Sequence, residues 1–141
     1  MKVFFDTNIY IAEAVAHGLA EQLIEVTRAA NWKICVSRYV ADELERVMTN
    51  QLCAPRWLAR AARRQCLKRG SLAREAVSRH GVPDDPKDGP ILRAAICAKV
   101  DYLVTNDKHL LALDPYEGLR IISLRDYKAL LVDRGLASET L

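Results

Sequence analysis

Short apolar runs and longer amphipathic stretches follow one another along the chain. The apolar runs are typical of buried strands in a parallel sheet and lie at residues 3–5, 32–36, 102–104 and 120–122. Apolar residues at helical spacing predict helices at 9–16, 19–30, 38–50, 91–99, 108–113 and 124–133. The succession predicts an α/β fold in three α/β/α layers, with a mainly parallel central sheet covered by helices on both faces.

Residues that start or stop helices stand where the pattern changes. Gly18 separates the first two helices, and Ser37 is a good N-cap for the third. Ser123 and Asp126 form a capping box before the last helix. Residues 81–90 are so rich in proline and glycine that they predict a loop.

Length and composition indicate one ordinary globular domain over residues 1–141. Half of the residues are hydrophobic and 28% are charged, which excludes disordered and collagen-like classes. No apolar run approaches the ~18 residues of a membrane span, and the first acid, Asp6, comes too early for a secretory signal. We therefore expect a cytoplasmic protein with no membrane contact.

Four cysteines stand at positions 35, 53, 66 and 97, without a CxxC pair or a histidine at zinc-ligand spacing. Each lies in a helix-like or strand-like pattern. They predict reduced, mostly buried thiols.

The charge is concentrated in one part of the chain. The basic segment 55–79, predicted as one or two helices with a break near Gly70, carries eight basic residues and one acid, although the whole chain is only +3. Four arginines fall within about 100° of a helical wheel: Arg56, Arg60, Arg63 and Arg64. Such a stripe indicates either a solvated helix face or contact with the phosphates of a nucleic acid.

Acidic residues follow two of the predicted strands directly. Asp6 comes after the first strand, and Asp107 ends the Thr105–Asp107 stretch after the third. Because ligands bind beyond the carboxyl ends of parallel strands, both acids are candidate site residues.

Two further acids have helical positions that point toward the same edge. On the third helix, Glu43 lies about 85° from the centre of the apolar stripe, against about 175° for Asp42 and about 115° for Glu45. Asp88 stands at the start of a helix, where it could cap the helix or belong to the site. Four converging carboxylates would need a cation, and Mg²⁺ or Mn²⁺ suits hard oxygen ligands. Such an ion activates water and stabilises charge on a phosphodiester.

Four motifs in order resemble the PIN-domain nucleases. They are Val3-Phe-Phe-Asp6-Thr7-Asn8, the Ser37-x5-Glu43-Leu44 helix start, Asp85-Pro-Lys-Asp88, and Tyr102-Leu-Val-Thr-Asn-Asp107-Lys-His-Leu-Leu. The likeness covers nearly the whole chain and is greatest to the bacterial VapC-like toxins.

The resemblance implies a Mg²⁺- or Mn²⁺-dependent endoribonuclease, often dimeric and held inactive by a cognate antitoxin. The catalytic and metal-binding acids of that family map onto Asp6, Glu43, Asp88 and Asp107. Its supporting polar residues map onto Thr7, Asn8 and Thr105.

The chain departs from the family pattern at two points. His109 stands where many relatives have a further aspartate, and Gly89 follows Asp88 where some have paired acids. These departures favour one tightly held ion over two. Asp85 is an alternative to Asp88, and Asp101 is expected at the opposite, amino end of its strand.

Other classes fit less well. A haloacid-dehalogenase phosphotransferase needs an acid two residues after Asp6, where this chain has Asn8, and the order of residues in a receiver domain does not match. The remaining alternative is a catalytically idle PIN-type module that binds RNA or a protein partner. Such a module would have no need for all four acids.

Overall fold

The structure is a computed structural model that describes residues 1–74 and 88–141; the side chain of Asp88 lies outside this description. The described strands are β1 (Lys2–Phe5), β2 (Lys33–Val36), β3 (Ser71–Leu72), β4 (Tyr102–Val104) and β5 (Arg120–Ile122). The described helices are α1 (Thr7–Ala16), α2 (Gly18–Ala29), α3 (Arg38–Asn50), α4 (Arg56–Arg69), α5 (Asp88–Cys97), α6 (Lys108–Leu111) and α7 (Leu124–Asp133).

The described strands form one parallel sheet in the order β3-β2-β1-β4-β5. Both neighbours of β1 are parallel to it, so the carboxyl ends of the central strands share one edge of the sheet. The predicted α/β fold with a mainly parallel sheet is confirmed. The site acids that follow β1 and β4 are thereby brought to the same edge.

The predicted caps hold the helices that leave this edge. The Ser37 hydroxyl accepts a hydrogen bond from the Val40 N–H at 3.1 Å, and Ser123 accepts from the Asp126 N–H at 3.1 Å. Each bond satisfies an N–H that the helix itself leaves without a partner. The helices α3 and α7 therefore begin directly after the strands β2 and β5.

The main difference from the predicted elements lies in the basic segment. Its helix α4 ends at Arg69, and Ser71–Leu72 form the edge strand β3 beside β2. A Cβ at Gly70 would lie 2.7 Å from Val36 Cγ1, so a glycine is needed where the chain turns past the sheet. Residues 75–79 of the predicted basic segment and residues 81–87 of the predicted loop, Asp85 among them, lie outside the described residues. Residues 88–90 were predicted as loop but form the first turn of α5.

The buried apolar side chains of the described residues form one cluster around β1 and β4, whose inner positions are fully buried. The ring of Tyr127 packs edge-on against Phe5, which attaches α7 to the central strand. All four cysteines are free; Cys35 and Cys66 are buried, but Cys53 and Cys97 are exposed, so the expectation of mostly buried thiols is only half right. None of the helices in the described ranges has the length and apolar character needed to span a membrane.

Candidate active site

Asp6 lies at the carboxyl end of β1, in the centre of the sheet. One carboxylate oxygen, Oδ1, accepts a hydrogen bond from the Thr7 N–H at 2.6 Å and so caps α1. The carboxyl group is almost fully buried. Burial raises its pKa to about 6, against the opposing effect of the hydrogen bonds that it accepts.

The hydroxyl of Thr105 connects Asp6 to Asp107. It donates a hydrogen bond to Asp6 Oδ2 at 2.7 Å and accepts one from the Asp107 N–H at 3.0 Å. Thr105 is fully buried, and the Asp6 N–H also donates to the Val104 carbonyl at 2.9 Å. The carboxyl ends of β1 and β4 are therefore joined by a fixed hydrogen-bonded bridge.

Glu43 is the acid of α3 that turns toward the protein. Its side chain is 14% exposed, compared with 54% for Asp42 and 36% for Glu45, as the helical wheel predicted. The Tyr39 hydroxyl donates to Glu43 Oε2 at 3.1 Å, and Arg46 lies 3.5 Å from the same atom. The side chain is therefore held in place by neighbours on its own helix.

The three described acids act on one another electrostatically. The negative charges of Glu43 and Asp107 both raise the pKa of Asp6, in addition to the larger effect of its burial. Asp107 is also tied to its loop, because its Oδ1 accepts from the His109 N–H at 2.8 Å and caps α6. The Asp6 carboxylate is thus repelled by both Glu43 and Asp107.

Whether these residues fit a divalent cation can be judged from their chemistry. Among the described residues, no group of three His, Cys, Asp or Glu side chains is close enough to hold a metal ion. Asp88 is the first residue of α5, but its side chain is outside the description. The donors are nevertheless carboxylate oxygens, two of which repel that of Asp6, and the buried Thr7 hydroxyl next to Asp6 has no hydrogen-bond partner within residues 1–74 and 88–141. Such a donor set fits Mg²⁺ or Mn²⁺, and the complete set of four ligands stays a prediction.

The other polar residues near the motifs have different surroundings. Asn8 and His109 are exposed. The Asn106 side chain accepts from the Leu124 N–H at 3.1 Å and so supports the start of α7. Asp101 accepts from the Lys2 N–H at 2.8 Å, at the amino end of the strands as expected.

The four arginines of the predicted stripe on α4 differ in their ion-pair partners and in their exposure. Arg63 donates from Nε and from a terminal nitrogen to Asp42 Oδ1 on α3, at 3.1 and 2.9 Å. Arg60 lies 3.9 Å from Glu45 and is mostly exposed, and Arg56 and Arg64 are exposed as well. The charge of Arg63 is thus partly neutralised within the protein, while the other three arginines face solvent.

A buried ion pair between α1 and α4 was not predicted. The carboxylate of Glu13 accepts two hydrogen bonds from the Arg69 guanidinium, both at 2.6 Å, and the two side chains are 11% and 9% exposed. The buried hydroxyl of Tyr10 and the Arg69 Nε have no hydrogen-bond partner among the described residues. Glu13 is the one charged residue of α1 and stands within the apolar stretch from Ile9 to Ala16, which was the available sequence signal.

Comparison with known proteins agrees with the fold and the motifs. The PIN domain family model matches residues 2–109, so the chain belongs to the PIN-domain family. The fold is also similar to that of a chain in the crystal structure of VapBC2 from Rickettsia felis bound to a DNA fragment from their promoter, with a TM-score of 0.66 and 18% identity. That match covers 87% of this chain and 98% of the other. A search of curated proteins returned no match.

Proposed function

We propose that this PIN domain is a Mg²⁺- or Mn²⁺-dependent endoribonuclease that hydrolyses RNA phosphodiester bonds. The observation that carries this proposal is the bridge from Asp6 through the Thr105 hydroxyl to Asp107, which fixes two acids at the carboxyl edge of the sheet. The negative charge of Glu43 raises the pKa of Asp6, which supports Glu43 as the third carboxylate of the proposed site.

The ligands of the cation would be Asp6, Glu43, Asp88 and Asp107. When bound, a divalent cation lowers the pKa of water and stabilises the negative charge that develops on a phosphodiester. Thr105 orients Asp6 by donating to one oxygen, so that the carboxylate does not rotate. Tyr39 performs the same task for Glu43.

The biological setting that fits this activity is a type II toxin–antitoxin pair. The solved neighbour is named as VapBC2 with promoter DNA, and a ribonuclease without a controlling partner would damage its own cell. An antitoxin chain is therefore the proposed protein partner, and RNA in the cytoplasm is the proposed substrate. Formation of a homodimer stays a prediction.

The test is cleavage of a structured RNA pool by the purified protein with Mg²⁺, Mn²⁺ or EDTA. Loss of one metal ligand reduces activity at least about 100-fold, since even the outer partners of a ligand are worth 10–100-fold. We expect that loss in Asp6→Asn and Asp88→Asn. Asp101→Asn changes a carboxylate at the opposite end of the sheet and should cut like the wild type.

Cleavage that survives EDTA, or equal inertness of the wild type with every metal, would contradict the proposal. If RNA or a partner protein still binds to the inert wild type, the protein is instead a binding module of the PIN type. Circular dichroism of each variant checks that loss of cleavage does not reflect unfolding.

A further inference from the structure

One exposed side of α4 combines an aromatic ring with three cations. Trp57 is 69% exposed, the highest value among the exposed large hydrophobic residues of the described chain. Arg60, Arg64 and Lys68 follow it at intervals of three, four and four residues, and all of them are exposed. Residues at these intervals lie on one face of a helix. We call this set the Trp57 stripe.

The Trp57 stripe points away from the protein. The buried residues of α4, Ala59 and Cys66, lie on the opposite side of the helical wheel. In the described part of the chain, neither Arg64 nor Lys68 has a carboxylate partner, whereas Arg63 is bound by Asp42. Arg64 and Lys68 are therefore available for an external anion, while Arg60 lies 3.9 Å from Glu45 and is mostly exposed.

The pairs between α3 and α4 show which way the stripe runs. Arg63 contacts Asp42 and Arg60 lies near Glu45, so the two helices are antiparallel. The Lys68 end of the stripe therefore lies level with the start of α3, where β2 reaches the carboxyl edge of the sheet. The Trp57 end lies about 16 Å farther along the helix, given a rise of about 1.5 Å per residue.

We propose that the Trp57 stripe binds a single-stranded segment of RNA and leads it toward the candidate active site. A base stacks on the Trp57 indole, and phosphates contact Arg60, Arg64 and Lys68, which follow one another at about 6 Å along the helix. Stacking and a row of cations are the two elements of single-strand binding without sequence preference. The inference rests on the proposed ribonuclease function and specifies how that enzyme holds its substrate.

Charge favours RNA over a second copy of the chain. In a two-fold symmetric contact through this face, the three cations of one copy would approach the same three cations of the other. Like charges brought together in this way oppose association. A polyanion is instead attracted by each of the three cations.

The experiment uses Asp6→Asn protein in EDTA, so that RNA is not cut, and a short single-stranded oligoadenylate as the probe. Stacking should quench the emission of Trp57, while Trp32, which packs against Tyr127 and Arg134, supplies a constant background. Trp57→Leu should weaken binding about tenfold, since one base–aromatic stack is worth on the order of 1–3 kcal/mol. Trp57→Phe should restore most of the affinity but show no quenching.

The cations are tested by salt dependence. Arg64→Gln should reduce the slope of log affinity against log salt by about 0.7, the value for one phosphate contact on a single strand. Trp57→Leu should leave that slope unchanged. Arg125→Gln removes an exposed arginine on α7 and should alter neither slope nor affinity.

Each outcome separates this inference from the proposed function. The inference is wrong, while the ribonuclease stands, if Trp57→Leu and Arg64→Gln leave RNA binding and cleavage unchanged. The same holds if these substitutions change only the oligomeric state or the binding of a partner protein. If binding depends on Trp57 but no metal supports cleavage by the unmodified protein, the ribonuclease fails while the RNA-binding stripe stands. Absence of RNA binding overturns the inference.

Discussion

At the residue scale, the most informative group is the carboxyl of Asp6. It is buried, it accepts two hydrogen bonds, and it still has a pKa of about 6 because desolvation outweighs those bonds. A protein that required only a cap for α1 would be served by an exposed serine or asparagine. The burial of an acid at this point is therefore costly for folding, and the cost is consistent with a role in binding a cation.

The cost of burying the Asp6 carboxylate should appear in the pH dependence of the free energy of unfolding. An unfolded aspartate has a pKa near 3.9, so between about pH 4 and pH 6 the folded protein binds more protons than the unfolded chain. The free energy of unfolding therefore falls as the pH rises through this range. Relative to the wild type in EDTA, Asp6→Asn should gain up to roughly 3 kcal/mol between pH 4 and pH 7.5.

Urea denaturation of both proteins at the two pH values measures the difference. Asp101→Asn serves as the control, because its carboxylate is at an exposed position. A difference between Asp6→Asn and the wild type that stays constant with pH would show that Asp6 is already charged at pH 4.

At the element scale, polar contacts join the helix α4 to α1 and to α3. Glu13 of α1 and Arg69 of α4 form a nearly buried, doubly hydrogen-bonded pair, and Asp42 of α3 binds Arg63 of α4. The first pair is protected from solvent, but the second is half exposed and contributes little to stability. Of these two polar contacts to α4, the Glu13–Arg69 pair is therefore the one that stability measurements should detect.

Replacing one partner of the Glu13–Arg69 pair should lower the free energy of unfolding more than replacing both partners. Glu13→Gln leaves the Arg69 guanidinium buried without its counter-charge and should cost about 3 kcal/mol of unfolding free energy. The double variant Glu13→Leu with Arg69→Met removes both charges and should recover most of that loss. Chemical denaturation measures both variants.

The matched control is Glu21→Gln, which removes the partner of His17 in an exposed pair. It should change the unfolding free energy by less than about 0.5 kcal/mol. An equally small effect of Glu13→Gln would mean that water already reaches the Arg69 guanidinium.

At the scale of the whole molecule, much of the architecture was predictable because local pattern and global fold agree. The apolar runs, the caps at Ser37 and Ser123 and the inward position of Glu43 depend only on neighbours along the chain. The strand β3 and the Glu13–Arg69 pair were missed, because their partners are distant in sequence. The same reason explains why the pairing of Arg63 with Asp42 could not be read from the arginine stripe.

Binding of a divalent cation should stabilise the entire domain. A ligand that binds only the folded state adds about 2.7 kcal/mol when its concentration is about 100 times its Kd. We expect Mn²⁺ to raise the Tm of the wild type, and to raise it more at pH 7.5 than at pH 5.5, where a proton competes for Asp6. Asp6→Asn should lose most of the increase.

Differential scanning calorimetry with Mn²⁺ and with EDTA measures these shifts. Asp101→Asn should respond to Mn²⁺ like the wild type. An identical rise in Tm for Asp6→Asn would place the cation elsewhere on the molecule.

The position of β1 in the sheet also determines when the site can exist during synthesis. The ribosome makes β1 before both of its neighbours in the sheet, β2 and β4, and the Asp6 N–H donates to the carbonyl of Val104. Thr105, which orients Asp6, is made about a hundred residues after it. In the nascent chain, Asp6 therefore lacks its contacts with β4 and Thr105 until β4 has left the ribosome. If the protein is the ribonuclease proposed above, the order of translation delays assembly of its cleavage site beside the RNA that encodes it.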